Sequence, residues 1–285
     1  MKKVLRVLKK IWILNFTRRV YNASKIYNKR YWQILKWGIT SKEDTNYTYR
    51  LSEANIRYLA NTISVVTKVD YSIILNYIHE AESDIFLKET ILTTIKNSSF
   101  KKFADSEVSF GRRLGWYAFA RAMKPKIIIE TGIDKGLGAI LLCAALLRNK
   151  EEGYDGKYYG TDINPDAGYM LIGKYKETGE ILYGDSIKSL SQFTENIDLF
   201  INDSEHSSEY EYQEYQTIQK LITDKTVILG DNSHCTDKLA VFSNEMDRSF
   251  LFFKEEPLNH WYPGAGIGIS YKNTAISQNN NKIKA

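Results

Sequence analysis

Three side chains with oxygen atoms follow two apolar runs of the sequence. Asp203 follows the run IDLFIN, and 28 residues later Asp231 and Asn232 follow the run VILG. Such runs predict buried strands, and in an open α/β sheet ligands gather at the carboxyl ends of strands. Carboxylate and amide oxygens suit Mg²⁺ or Mn²⁺, so the three residues predict a divalent-metal site. His206 lies three residues beyond Asp203, and these two are the candidate catalytic residues, with His206 as the general base.

The same acids have a simpler interpretation. Aspartate before a helix is a good N-cap, so Asp203 and Asp231 could cap the helices that follow them. His206 would then be an ordinary loop residue. Capping explains each acid singly but not the two groups together, which favours a chemical site. His234 is the second candidate for the base, or for a hydrogen-bond partner in the site.

A glycine-containing turn lies upstream, between a predicted strand and a predicted helix. Gly132 and Gly136 belong to the segment IIIETGIDKGLG. Glycine lets the backbone approach a ligand, and the following helix points its positive end at that ligand. Glu130 ends the strand before the turn, where it would repel a pyrophosphate and suit an amino group. A tight β–α connection is the structural alternative, because a glycine-rich turn alone is a weak signal.

Further acids support the interpretation of this turn as a cofactor site. Asp162 ends the second predicted strand, where a carboxylate can accept both hydroxyls of an adenosine ribose. Asp185 and Ser186 follow the third strand in the segment YGDS, within reach of an adenine edge. An acid at each of three successive strand ends is more than a structural sheet requires. A dinucleotide dehydrogenase shares two of these features, but its turn reads G-x-G-x-x-G, whereas this one reads G-x-x-x-G-x-G.

The pattern of apolar residues predicts the elements that position these side chains. Helical spacing dominates residues 45–123, at 51–67, 71–83, 86–95 and 111–123. Strands then follow at 127–130, 157–162, 181–183, 198–202, 226–230, 250–254 and 266–271, and helices at 138–148, 167–175, 187–193, 208–222 and 237–245. The last two strands have no clear helix between them and predict an antiparallel closing pair. The alternation predicts an α/β fold with a doubly wound, seven-stranded, mostly parallel sheet and a helical N-terminal extension.

The basic charge of the chain is confined to its N-terminus. The net charge is +5, yet residues 1–42 carry 12 Lys and Arg and no acid, which leaves the rest of the chain at −7. No apolar run in this segment reaches the length of a membrane span. A basic amphipathic helix on an anionic membrane surface is one interpretation, and a helix packed on the domain or on a second subunit is the other. Nucleic-acid binding is disfavoured, because the main part of the chain offers no second basic stripe.

Two further pairs of residues have no assigned role in catalysis or binding. Cys143 and Cys235 have neither metal-ligand nor disulfide spacing, which indicates a reducing cytosol. Arg112 and Arg113 could bind an anionic substrate, and they could equally be solvated charges on a helix.

Residues 108–271 resemble the class I S-adenosylmethionine-dependent methyltransferases. The ETG turn, Asp162, the GDS segment, IDLFINDSEH, GDN and HWYPGAGIGISYK occur in matching order. Within that superfamily the chain most resembles the branch of macrocin O-methyltransferase and other sugar O-methyltransferases. Its spacing between the first acid and the Asp-Asn pair is similar to that of metal-dependent catechol-type enzymes. The sugar enzymes more often carry two acids where this chain has Asp231 and a neutral Asn232.

The resemblance implies a Rossmann-like methyltransferase fold that binds S-adenosylmethionine and a divalent ion, Mg²⁺ or Mn²⁺. Around the cofactor it implies Glu130, Gly132, Asp162 and Asp185. Around the ion it implies Asp203, Asp231 and Asn232.

These observations together predict a cytoplasmic S-adenosylmethionine-dependent O-methyltransferase, assisted by a divalent metal, that methylates a hydroxyl of a sugar, glycan or small metabolite. A nicotinamide-dependent Rossmann oxidoreductase and a membrane-docked, non-catalytic scaffold of the same fold are the alternatives. Besides the acceptor, two partners are expected. One is the inner face of an anionic membrane, which residues 1–42 would contact peripherally, and the other is a second copy of the chain. The expected parts are a basic segment at 1–44, a helical cap at 45–107, the methyltransferase domain at 108–272 and a disordered tail at 273–285.

Overall fold

The computed structural model describes residues 11–43, 48–205, 207–231 and 233–273. Its helices are α1 (Trp12–Thr40), α2 (Glu53–Thr67), α3 (Tyr71–Ser83), α4 (Ile85–Asn97), α5 (Arg113–Met123), α6 (Leu137–Glu151), α7 (Ser186–Ser191), α8 (Ser208–Ile218) and α9 (Lys238–Glu245). Its strands are β1 (Ile127–Thr131), β2 (Lys157–Asp162), β3 (Gly179–Tyr183), β4 (Ile197–Asn202), β5 (Ile222–Gly230), β6 (Ser249–Phe253) and β7 (Ile267–Tyr271).

The strands form one sheet in the order β3-β2-β1-β4-β5-β7-β6. Strands β1 to β5 pair in parallel, and β7 runs antiparallel to both β5 and β6. The predicted sheet and its antiparallel closing pair are therefore confirmed. In this register Thr131 lies beside Asn202, and Asn202 lies beside Gly230. The carboxyl ends of β1, β4 and β5 consequently meet at one edge of the sheet.

Alternate residues of the strands enter two apolar layers. Ile128 belongs to the layer built with α2 to α6, where Trp116 of α5 is fully buried. Its neighbour Ile129 belongs to the layer built with α7 to α9, which contains Tyr215 and Phe242. Both faces of a parallel sheet are covered in this way, which explains why the strands read as continuous apolar runs instead of alternating ones.

The helical extension is part of the body of the protein. Helices α3 and α4 begin at aspartate N-caps, since the side chain of Asp70 accepts a hydrogen bond from Ser72 N at 2.8 Å and that of Asp84 from Leu87 N at 2.8 Å. Apolar residues of α2, α3 and α4 are buried in the same layer as α5. The extension therefore covers one face of the sheet.

Helix α1 spans residues 12–40 of the predicted basic segment and buries none of its residues. Its C-terminal part touches the body, where the ring of Trp37 lies 5.3 Å from that of Trp261 and Arg30 donates to the carbonyl of Trp261 at 2.6 Å. Residues 1–10 of the basic segment lie outside the described residues. Within the described part of the chain, no helix combines the length and the apolar character that a membrane crossing needs.

Three predicted elements differ from those observed by more than three residues. The helix predicted at 167–175 is replaced by turns and a 3₁₀ helix at Gly173–Glu177, because Gly168 has a φ of +74° that no α-helix contains. The helix predicted at 208–222 ends at Ile218, and β5 begins at Ile222, before its predicted start. The predicted disordered tail lies outside the described residues from position 274 onward.

Candidate functional site

A cavity of about 480 Å³ opens where the carboxyl ends of β1 to β4 meet. This is the edge at which open α/β sheets bind their ligands. The residues that line it are Gly132, Asp134, Thr161, Asp162, Ile163, Asn164, Gly184, Asp185, Ser186, Asp203, Ser204, Glu205 and Tyr210. The structure thus brings five of the predicted site residues to one cavity: Gly132, Asp162, Asp185, Ser186 and Asp203.

Gly132 forms the floor of the turn after β1. Its φ of +76° is a conformation that L side chains rarely adopt, and a Cβ there would lie 2.6 Å from Cα of Ser204. The backbone after β1 and the backbone after β4 therefore touch because position 132 carries no side chain. Gly136, the other predicted glycine, precedes α6 and is not among the residues that line the cavity.

Asp162 and Asp185, which were predicted to bind the ribose and the adenine, form hydrogen bonds to the backbone of neighbouring segments. The carboxylate of Asp162 accepts hydrogen bonds from Asp134 N at 2.9 Å and from Asn164 N at 2.8 Å. Asp185 caps α7 by accepting from Lys188 N at 2.8 Å. A carboxylate has about four acceptor positions, so both acids keep positions for a ligand in the cavity that they line.

Glu130 does not reach the cavity. Its side chain is buried beneath the turn, where the hydroxyl of Tyr158 donates to it at 2.6 Å, and a Cβ on Gly138 would overlap it. Burial raises the pKa of Glu130 to about 7. The predicted direct contact of Glu130 with the cofactor is therefore corrected: the strand pairing turns this side chain into the layer under α6.

Glu214 is a buried residue of the site that the sequence did not reveal. It lies on α8 and accepts hydrogen bonds from Thr131 Oγ1 at 3.1 Å and from Ser204 Oγ at 2.7 Å, and from the side chains of Ser186 and Asn202. These donors follow or end three different strands, and Ser186 and Ser204 line the cavity. Glu214 thus ties three strand ends together. The sequence contains one indication that Glu214 is buried: it lies four residues before Ile218, on the same face of the helix, and Ile218 is buried.

Replacing Glu214 with glutamine is expected to flatten the pH dependence of stability. Burial raises the pKa of Glu214 to about 7, against the opposing effect of its hydroxyl donors. The folded protein keeps this proton up to about pH 7, whereas the unfolded chain releases it at roughly pH 4.3. The free energy of unfolding therefore falls between these two pH values, by roughly 3 kcal/mol for such a group, and stays level above them. Urea unfolding at pH 5, 6 and 7 measures the change.

The matched control for this variant is Glu209→Gln, an exposed acid on the same helix. Glu130 keeps its own contribution in both variants, so some slope will remain. An E214Q protein whose unfolding free energy varies with pH as steeply as that of E209Q would contradict the assignment.

The two predicted metal-ligating acids are both paired with arginines. Asp231, which is completely buried, accepts hydrogen bonds on both oxygens from Arg112, through Nε and Nη2. Asp203 Oδ2 lies 3.7 Å from Nη2 of Arg113. Neither arginine is a solvated helix charge, since the side chains are only 12% and 14% exposed. Both arginines were candidates from the sequence, but their partners lie on other elements and could not be predicted.

Burial raises the pKa of both acids, but the neighbouring charges shift the two pKa values in different directions. Burial raises the pKa of Asp203 well above its ordinary value, and the neighbouring charge of Asp231 adds to the rise. Burial would also raise the pKa of Asp231, but the Arg112 guanidinium outweighs it and holds that pKa below its ordinary value. Asp231 is consequently the ionised member of the pair.

The remaining predicted residues are His206, Asn232 and His234. His206 and Asn232 lie outside the described residues, so their roles stay predictions. His234 is exposed, and its Nε2 lies 3.2 Å from Sγ of Cys235. Over the described ranges, no group of three or more His, Cys, Asp or Glu residues has an arrangement that could hold a metal ion.

Comparison with known proteins identifies the catalytic domain. Residues 129–233 match the model of a family described as a methyltransferase domain. This range contains the turn after β1, every residue that lines the cavity, and Asp231. The chain is therefore a methyl-transfer enzyme. A search of curated proteins gave no match.

Solved structures of methyltransferases resemble the chain at low sequence identity. The SAH-bound methyltransferase PaMTH1 of Podospora anserina is 19% identical, with 68% of this chain and 93% of that chain covered and a TM-score of 0.47. The O-methyltransferase of Bacillus cereus in complex with SAH is 14% identical, with 65% and 91% covered and a TM-score of 0.47. TomG of Streptomyces achromogenes, an O-methyltransferase involved in tomaymycin synthesis and solved with SAM, is 14% identical, with 66% and 89% covered and a TM-score of 0.46.

Proposed function

We propose that the protein is an S-adenosylmethionine-dependent O-methyltransferase that acts on a hydroxyl of a sugar, glycan or small metabolite. The observation that carries the cofactor assignment is the charge of the cavity. The acids among its described lining residues are Asp134, Asp162, Asp185, Asp203 and Glu205, and no Lys or Arg is among them. S-adenosylmethionine brings a sulfonium and an ammonium group to such a wall, whereas a nicotinamide dinucleotide would bring a pyrophosphate. The charge therefore favours the methyl donor over the dinucleotide.

The polar groups of the cavity also fit this cofactor. Thr161 Oγ1 is buried, has no hydrogen-bond partner among the described residues, and belongs to the cavity wall. Asp162, the next residue, has acceptor positions left for the two ribose hydroxyls. The volume of about 480 Å³ lies within the range of small-molecule sites.

The described residues on the acceptor side orient the reaction. Bound S-adenosylmethionine supplies a methyl group on a positively charged sulfur, which an oxygen nucleophile attacks in line. Asp203 and Ser204 follow β4 and border the cavity beside Gly132, where they can fix the acceptor against the cofactor. Holding the two reactants in this geometry supplies much of the acceleration. His206 remains the candidate base that takes the hydroxyl proton.

Methyl transfer from S-adenosylmethionine with a ¹³C-labelled methyl group tests this proposal. The enzyme is incubated with the labelled donor and fractions of a cell metabolite extract, and ¹³C NMR identifies the atom that receives the methyl group. We expect a labelled O-methyl product in at least one fraction. Label on nitrogen or sulfur only would overturn the oxygen acceptor, and no enzyme-dependent product in any fraction would favour the non-catalytic scaffold.

We further propose that α1 lies on an anionic membrane surface. Among its exposed apolar side chains, Val20 at 51%, Tyr27 at 74% and Tyr31 at 58% share one side of the helix. The opposite side carries lysines at helical spacing, among them Lys25 and Lys29. The helix holds six Lys and Arg and no acid, so pairing it with the α1 of a second copy would bring like charges together. An anionic lipid surface can bury the apolar side chains of such a helix and attract its lysines and arginines.

Vesicle sedimentation tests this surface on the full chain. We expect binding to vesicles of phosphatidylserine and phosphatidylcholine but not to phosphatidylcholine alone, and loss of binding in the triple variant Val20→Ser, Tyr27→Ser, Tyr31→Ser. The matched control is Tyr58→Ser, Val65→Ser, two exposed apolar residues of α2. Equal sedimentation of both variants with the anionic vesicles, or a dimer that only the triple variant loses, would overturn the membrane proposal.

A further inference from the structure

Both carboxylate oxygens of the acid at the end of β5 are engaged by an arginine. Asp231 N donates to the carbonyl of Asn202 at 2.9 Å, which fixes the residue beside the end of β4. Its side chain is 1% exposed, and the planar guanidinium of Arg112 takes both carboxylate oxygens in a bidentate pair. This is the fork geometry for which arginine is suited and lysine is not.

Arg112 is held in that position from its other side. Its Nη1 donates to Oη of Tyr49 at 2.8 Å and lies 3.4 Å from Oε1 of Glu255. Tyr49 in turn donates to Oε2 of Glu255 at 2.7 Å. Gly111, just before Arg112, has a φ of +52°, and a Cβ there would lie 2.6 Å from Cζ of Tyr49. Residues from the N-terminal extension, β5 and the segment after β6 thus surround one guanidinium group.

The second acid of the predicted metal site has its own arginine. Asp203 lies 3.7 Å from Arg113, and the Arg113 guanidinium lies over the ring of Trp116 at 5.2 Å. Consecutive arginines at the start of α5 therefore serve the two acids that end neighbouring strands. A divalent ion bound to the sites of Asp231 that Arg112 occupies would have to displace Arg112 and leave that buried guanidinium without its bidentate partner, which is strongly unfavourable.

We propose that Arg112 takes the place of the divalent ion in this site, so that Arg112 pairs with Asp231, Arg113 pairs with Asp203, and the enzyme uses no Mg²⁺ or Mn²⁺. This proposal takes from the proposed function only that the reaction is methyl transfer to a hydroxyl. The described residues do not fit a metal centre, because both acids are already paired with permanent cations, and the metal predicted at Asp203, Asp231 and Asn232 is replaced by this arrangement. Arg112 is a positioning residue, since it acts through Asp231.

Calorimetric titration with Mn²⁺ tests the proposal directly. The wild-type protein, stripped with chelator and then dialysed free of it, is expected to show no saturable binding of Mn²⁺ up to 1 mM, a concentration of the order at which weak protein sites for divalent ions fill. Arg112→Met removes the guanidinium and keeps an unbranched apolar chain, and this variant is expected to gain Mn²⁺ affinity by at least tenfold. Arg50→Met is the matched control, because Arg50 forms an exposed ion pair with Glu107.

Two results would overturn the inference. One is saturable Mn²⁺ binding by the wild-type protein that Asp231→Asn abolishes, which would show that the acid is free to ligate. The other is a melting temperature of the wild-type protein that rises with micromolar Mn²⁺, a readout that needs no variant and remains available if R112M fails to fold. Binding of S-adenosylhomocysteine is measured in the same chelator-treated samples. Its absence would count against the proposed function, whereas the Mn²⁺ results decide the role of Arg112.

Discussion

Replacing Asp162 with asparagine is expected to weaken the binding of S-adenosylhomocysteine by 100-fold or more. The carboxylate accepts two loop N–H groups, from Asp134 and Asn164, and its free acceptor positions meet the ribose in the proposed complex. Hydrogen bonds to a charged acceptor contribute about 1.5–3 kcal/mol each, so the loss of two corresponds to at least a 100-fold change in affinity. Isothermal titration calorimetry measures it.

The matched control for Asp162 is Asp155→Asn, an exposed acid just before β2. Its affinity for S-adenosylhomocysteine is expected to equal that of the wild-type protein. If D162N binds within threefold of D155N, the carboxylate at the end of β2 does not hold the cofactor, and the orientation proposed for the ligand is wrong.

Replacing Gly132 with alanine is expected to remove cofactor binding and to lower the free energy of unfolding by about 3 kcal/mol or more. The φ of +76° costs an alanine about 1–2 kcal/mol. The new Cβ would also overlap the backbone carbonyl of Asp203, which is a main-chain atom and cannot rotate away. The loops after β1 and β4 must then separate, and both line the cavity.

Gly153→Ala separates these two costs. Gly153 has a φ of +89°, and a Cβ there would meet nothing within 4 Å. This variant therefore carries the backbone strain without the overlap, and it should lose about 1–2 kcal/mol and keep its affinity for S-adenosylhomocysteine. Urea unfolding and calorimetry of both variants give the comparison. Equal losses of stability in G132A and G153A would show that the contact with the β4 loop is not required.

The sheet could be predicted because its signals are local. Strand β2 and helix α3 have the predicted bounds, since a short apolar run and a helical apolar period both act over a few residues. The acids at the ends of β2 and β4 could be located for the same reason: they follow directly on strands. Position along the chain was enough to bring Asp162, Asp185 and Asp203 to one edge.

The partners of the buried charges could not be predicted, because they depend on contacts between distant elements. Arg112 and Asp231 are 119 residues apart in the chain, and only the packing of α5 against the end of β5 brings them together. Oxygen ligands for a metal and carboxylates for an arginine look the same in a sequence. Glu130 shows the same limit on a smaller scale, since whether a strand's last acid enters the cavity or the layer beneath it depends on the pleat and on neighbours such as Tyr158.

The acidic cavity at the ends of β1 to β4 is the proposed binding site of the methyl donor. Calorimetric titration of the wild-type protein with S-adenosylhomocysteine, in the presence of a chelator, measures this binding. We expect saturable binding of one S-adenosylhomocysteine molecule per chain, undiminished by the chelator, and no binding of NAD⁺ under the same conditions. A folded protein that does not bind S-adenosylhomocysteine, or that binds NAD⁺ in its place, would contradict it.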